Sequence, residues 1–234
     1  MRKLYFTTGS PFARAVRIVL DEKGLDYERA ETASTPSVEE RSQASATLQI
    51  PALVDGDLHL WDSAVIIDYL MKSYPNPAPR AGEAPFAERL IRSSHEWQDQ
   101  LALATVQTLG ASTTLISQMQ WSGVRHADNA HLTRSAIRNQ HVLDWCEAQI
   151  EADGGFMPGV VSAQDVLLAC FCGFIDKRPL KLTWDDPARP KVRALVDRLH
   201  RRASFVANPV LWWEPGITGY TPDGTPIRAA ANAS

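Results

Sequence analysis

Four prolines, Pro75, Pro77, Pro79 and Pro85, fall within the stretch from Tyr74 to Pro85. Proline lacks a backbone N–H and its ring clashes with the preceding helical turn, so no helix runs through such a stretch. The segment reads as a linker that divides the chain into two unlike parts. The expected organisation is residues 1–75, a connection at 76–85, and residues 86–234.

Ahead of the linker, short β-prone runs alternate with helical spacing. Lys3 to Thr7 reads as a strand. Ser10-Pro11 then joins a favoured helix cap to the favoured first helical residue. Phe12, Val16, Val19 and Leu20 follow at helical spacing, and Gly24 ends that helix. Asp26 to Glu31 reads as a second strand and Val38 to Ser45 as a weak, polar helix. Pro51 to Val54 and Leu58 to Leu60 form a third and a fourth strand, joined through the hairpin signal Asp55-Gly56. Asp62 caps a helix running to about Ser73, with Ala64, Ile67 and Met71 on one face. The order βαβαββα, a parallel crossover and then a hairpin, matches a thioredoxin-like half.

From Phe86 onward the chain reads as helix, giving an α+β protein with an all-α C-terminal part. The expected segments are Ala87 to Trp121, His131 to Glu151, Ala163 to Ile175 and Lys191 to Ser204, with Gly110 a point of bending or breakage. Ala136, Leu143, Cys146 and Ile150 share a face of the second. Ser162-Ala-Gln-Asp165 has the spacing of a capping box, with Val161 and Val166 at the two staple positions. The run after it is apolar on every side, so this helix belongs at the centre of the helical part. Trp212-Trp213 are expected to dock and the Ala-rich end to fray.

Bulk properties exclude several classes. A net charge of -3 with 22% charged residues argues against a nucleic-acid partner or an electrostatic membrane binder. The longest uncharged apolar run, Val166 to Ile175, is too short to span a bilayer. Met1-Arg2-Lys3 is not followed by an apolar signal core, so a cytoplasmic protein is expected. Three cysteines, Cys146, Cys170 and Cys172, form no CxxC, and no metal-ligand cluster is visible, so no metal is expected.

Three short patterns stand where one element hands over to the next: Gly9-Ser10-Pro11, Ile50-Pro51 and Asp62-Ser63. On spacing alone, helix capping accounts for Ser10 and for Asp62, and a trans proline opening a strand accounts for Pro51. GSPFAR at 9–14 and IPALVDGDLHLWDSAVIIDYL at 50–70, with the capped helix at 161–175, resemble the glutathione transferase superfamily. The first string is similar to the serine-type turn of delta, theta and related bacterial members.

That resemblance implies glutathione as co-substrate and Ser10 as the residue that hydrogen-bonds its sulfur. It implies a cis proline at Pro51, so that the Ile50 backbone pairs with the cysteinyl unit. It implies that Asp62 meets the γ-glutamyl ammonium while Ser63 and the helix N-terminus meet its carboxylate. The basic residue many relatives use for the glycyl carboxylate is replaced by Gln49, leaving Arg41, Arg14 and His59 as candidates.

A small hydrophobic electrophile is expected between the halves, near Phe12 and Trp121, with Trp97 a further candidate. A homodimer and a detoxifying transferase activity are likewise implied. Isomerisation, dehalogenation or peroxide reduction, or a non-catalytic binding or assembly module, are the alternatives. The first part has no cysteine, which disfavours branches that form a mixed disulfide with glutathione.

Overall fold

A computed structural model of the chain describes residues 1–31, 38–151, 154–178, 180–211, 217–220 and 226–228. The first part is a four-stranded mixed sheet flanked by helices. Strand β1 (Arg2–Phe6) turns Leu4 and Phe6 fully into the core. Helix α1 (Pro11–Glu22) follows, then β2 (Tyr27–Glu31), parallel to β1. Helix α2 (Val38–Ala44) leads to the antiparallel hairpin of β3 (Ala52–Asp55) and β4 (Leu58–Trp61), and α3 (Ser63–Ser73) closes the unit. The strand order is β2-β1-β3-β4, the thioredoxin-like arrangement expected from the sequence.

The hairpin turn places Gly56 at φ +61°, a conformation that strongly favours glycine. Asp55, at the end of β3, then accepts hydrogen bonds from the Tyr69 and Tyr74 hydroxyls, tying the hairpin to the end of α3.

The second part holds α4 (Glu96–Trp121), α5 (Ala130–Gln149), α6 (Ala163–Asp176), α7 (Pro190–His200) and α8 (Ala203–Ala207). Helix α6 is buried on all sides, as its sequence predicts. Its capping box is complete. Ser162 Oγ accepts from Asp165 N–H at 3.1 Å, and Asp165 accepts from Ser162 N–H at 2.8 Å and Phe156 N–H at 2.9 Å. Val161 and Val166 are both buried beside it. Cys146, Cys170 and Cys172 are buried free thiols, and burial pushes the Cys146 thiol up to about 12, so they are packing residues.

Three elements differ from the sequence expectation. Helix α4 starts at Glu96, not Ala87, because other groups claim the backbone of residues 85–92. Ala87 N–H and Val161 N–H bond to Val161 and Pro85 carbonyls, both at 2.9 Å. Gln164 donates to the Leu90 carbonyl, and buried Asp99 accepts the Arg92 N–H at 2.8 Å and its guanidinium at 2.7 Å. Lys191 to Ser204 is two helices, α7 and α8, since the chain turns at Arg202 to send that side chain inward. The C-terminal part also carries a two-stranded ribbon of β5 (Ile217–Tyr220) and β6 (Pro226–Arg228). The expected docking of Trp212-Trp213 and the fraying Ala-rich end lie outside the described residues.

Gly110 does not break α4. A Cβ there would sit 2.4 Å from Cζ of Phe171, so glycine is what lets α6 approach. Phe171 in turn packs edge-on against Phe12, with ring centroids 4.8 Å apart. Gly110→Ala is therefore expected to destabilise the protein by roughly 1–3 kcal/mol through overpacking, read by urea denaturation. An unchanged urea midpoint would show that Phe171 moves aside freely.

The two parts meet along α1, which packs against α3 on one side and α6 and α8 on the other. His200 at the end of α7 lies in this region, its ring 5.7 Å from that of Phe205. Burial, and then the nearby Arg14 charge, push its pKa from 6.5 down to about 4. The native state thus disfavours the proton that the unfolded chain accepts near 6.5. The stabilisation is complete above 6.5 and is lost as pH falls toward 4. Across that window the urea midpoint should fall more steeply in the wild-type protein than in His200→Gln. Parallel pH profiles would remove His200 as the cause.

Candidate active site

Between the two parts lies a cavity of about 620 Å³. Ser10, Phe12, Gln49, Ile50, Pro51, Asp62, Ser63 and Trp121 all line it. These eight are among the site residues the sequence singled out, and they are drawn from four separate stretches of chain.

Ser10 is the N-cap of α1. Its backbone is extended, with φ -77° and ψ 123°, and its Oγ accepts from Ala13 N–H at 3.2 Å. A hydroxyl that accepts in this way still has its hydrogen to donate. Capping and donation to a ligand are therefore compatible. The first turn of α1 carries no acidic residue, so the positive end of its dipole meets no carboxylate from that turn.

The Ile50-Pro51 peptide is cis, as the resemblance implies. Asp62 caps α3, accepting from Ala64 N–H at 2.8 Å, and holds a φ of 69° with ψ 127°. A non-glycine residue in such a conformation costs on the order of 1–3 kcal/mol, and strain of this kind gathers at ligand sites. Ser63, the first residue of α3, is buried beside it.

The candidates for the missing base separate cleanly. Arg41, in the last turn of α2, lines the cavity beside Gln49, its Nη1 donating to the Leu48 carbonyl at 3.3 Å. Arg14 turns away into the helical core, donating to the Asn208 carbonyl at 2.7 Å. His59 is exposed on β4 and is not a lining residue.

Trp97 does not line the cavity and is 74% exposed. The α4 wall instead presents Gln107, Ala111, Thr114, Leu115, Gln118 and Trp121. Their spacing is that of one helical face, a signal present in the sequence but unused. With Ser117, which also lines the cavity, more than half of the α4 residues on that wall are polar, so the wall is more mixed than a purely hydrophobic electrophile requires. Arg178, just past α6, also lines the cavity, and no local pattern in the sequence marks it.

Among the described residues no helix is long and apolar enough to cross a membrane. No group of three His, Cys, Asp or Glu side chains is gathered there to hold a metal ion.

A four-stranded thioredoxin-like sheet joined to a helical bundle, with a cavity between them, defines the class of fold. Residues 4–78 match the family profile described as "Glutathione S-transferase, N-terminal domain". The chain is 32% identical to the dichloromethane dehalogenase of Methylophilus leisingeri, over 97% of this chain and 85% of that protein. The protein belongs to the glutathione S-transferase superfamily.

It is also 31% identical over 114 residues to the stringent starvation protein A homolog of Haemophilus influenzae. That match covers 47% of this chain and spans about half, 53%, of the relative's length. In fold, a glutathione transferase family member from Pseudomonas fluorescens Pf-5, solved with bound glutathione, superposes with a TM-score of 0.71 at 21% identity. That likeness covers 89% of this chain and 98% of the other.

Proposed function

We propose that this protein activates the thiol of glutathione at Ser10 and delivers the thiolate to an electrophile held against α4. The observation that carries the reading is the state of Ser10, a cavity-lining hydroxyl already bonded to its own helix and retaining a hydrogen to donate. A free thiol has a pKa near about 8.5, so only a few per cent is ionised at neutral pH. A donated hydrogen bond and the helix end both favour the anion and lower that pKa.

The thiol proton passes to solvent, a C–S bond forms, and the electrophile loses its leaving group or accepts the electron pair. Ser10 acts on the substrate nucleophile and is not itself the attacking group. The Ile50 backbone holds the cysteinyl unit, Asp62 the ammonium, and Ser63 with the α3 N-terminus the γ-glutamyl carboxylate. Arg41 is the residue for the glycyl carboxylate, because of the three candidates it alone lines the cavity.

The proposal keeps 1–75 as the glutathione-binding unit, 76–85 as the connection and 86–234 as the unit that holds the electrophile. Displacement of a halide is the favoured form of the reaction, since a relative matched along nearly the whole chain is named a dehalogenase. A homodimer belongs to the reading. A monomer in sedimentation at micromolar concentration would remove that element.

The test is the thiolate absorbance of glutathione bound to the protein, followed across pH. The expected midpoint lies about one unit or more below that of free glutathione. Binding with an unshifted midpoint would make the protein a non-catalytic glutathione-binding module instead.

A further inference from the structure

Arg178 reaches the Ser10 turn from the opposite end of the sequence. Its side chain is almost wholly buried, 6% exposed. Nη2 donates to the carbonyl of Gly9 at 3.1 Å, and Nη1 donates to that of Leu211 at 3.2 Å. The guanidinium lies 4.5 Å from the ring centroid of Phe174, and both residues line the cavity with Ser10.

The Gly9 carbonyl and the Ser10 N–H belong to one planar peptide unit. Arg178 holds the oxygen of that unit, while the Thr7 carbonyl holds its N–H at 3.1 Å. Fixing the plane at both edges fixes φ of Ser10, and with it the direction of the Cα–Cβ bond that carries the hydroxyl. The same guanidinium places a positive charge on the wall where a thiolate forms, in a site partly screened from water.

We infer that Arg178 is a positioning residue for thiol activation, through which the helical part of the chain aims Ser10 and stabilises the anion beside it. This deepens the reading of Ser10 given above and rests on it. Lysine keeps the charge but cannot make two separated N–H contacts in one plane, so it replaces arginine only in part.

The experiment compares the full-length wild-type protein with Arg178→Lys and Arg178→Gln. Three quantities are read for each: the pH midpoint of the bound glutathione thiolate, the affinity for S-methylglutathione, and the melting temperature. S-methylglutathione has no ionisable thiol, so it reports peptide binding alone. The expected midpoints rise in the order wild type, lysine, glutamine, the last by about one pH unit, a tenfold smaller thiolate fraction. Affinity for S-methylglutathione should stay within about threefold, under 1 kcal/mol.

Equal midpoints in all variants that fold would overturn the inference, as would lost S-methylglutathione affinity at an unchanged midpoint. Should the glutamine variant fail to fold, the order of wild type and lysine decides alone. A wild-type midpoint equal to that of free glutathione would sink the Ser10 reading itself, and this inference with it.

Discussion

Replacing Arg202 with alanine is expected to destabilise the fold by about 3–5 kcal/mol, because it strips the partner from a buried carboxylate. The Arg202 guanidinium meets both oxygens of Glu22 in a fork, at 2.6 and 2.8 Å, with the two side chains 6% and 5% exposed. The Ser204 hydroxyl donates to the same carboxylate, and Arg202 also donates to the Ala84 carbonyl at 2.8 Å. This cluster joins the end of α1 to the start of α8. Glu22 left alone would keep a desolvated charge with one remaining donor.

Native stabilities are typically only about 5–15 kcal/mol, so the single variant should melt far below the wild type. The double variant Glu22→Leu/Arg202→Met should recover most of the loss, since apolar pairs of similar volume replace buried ion pairs at little cost. Urea denaturation measures both. A loss under about 1 kcal/mol for Arg202→Ala would mean that water reaches Glu22 and the pair behaves as a surface one.

Ser10→Ala is expected to lower kcat/KM for glutathione conjugation by about 10- to 100-fold. A hydrogen bond to a charged group contributes roughly 1.5–3 kcal/mol, and each 1.4 kcal/mol is about a factor of ten in rate. The loss should appear in kcat and in the thiolate midpoint, with glutathione binding little changed, because the peptide contacts lie elsewhere on the cavity wall. The same substitution removes the cap bond to Ala13 N–H and costs about 1 kcal/mol of stability.

Ser10→Gly separates the two effects. Glycine at an N-cap costs only a few tenths of a kcal/mol relative to serine, yet it has no hydroxyl. Both variants should lose activity equally while the glycine variant stays near wild-type stability. Activity retained in both would leave Ser10 as a helix cap only.

Much of this architecture is written locally. Ser10-Pro11, Asp62-Ser63 and the Ser162–Asp165 box mark helix starts through side chains that bond to backbone two or three residues on. Interactions of such short range need no tertiary structure to be read. The hairpin at Gly56 and the all-apolar run of α6 are legible for the same reason. The start of α4 was not, because Asp99, Gln164 and the Phe86–Val161 bridge compete for the backbone that a helix over 87–95 would need. Gly110 reads as a breaker until Phe171 is placed against it.

The site divides in the same way. The sequence by itself determined the two-part fold and the caps that expose helix ends, and its short motifs at 9–11, 50–51 and 62–63 mark residues that line the cavity. Only the tertiary structure decided that Arg41 faces the cavity while Arg14 points into the core, and that Arg178 grips Gly9. A flexible side chain carries its charge several ångströms from its own backbone. Where that charge lands depends on which distant element packs beside it, which here lies up to 194 residues away along the chain.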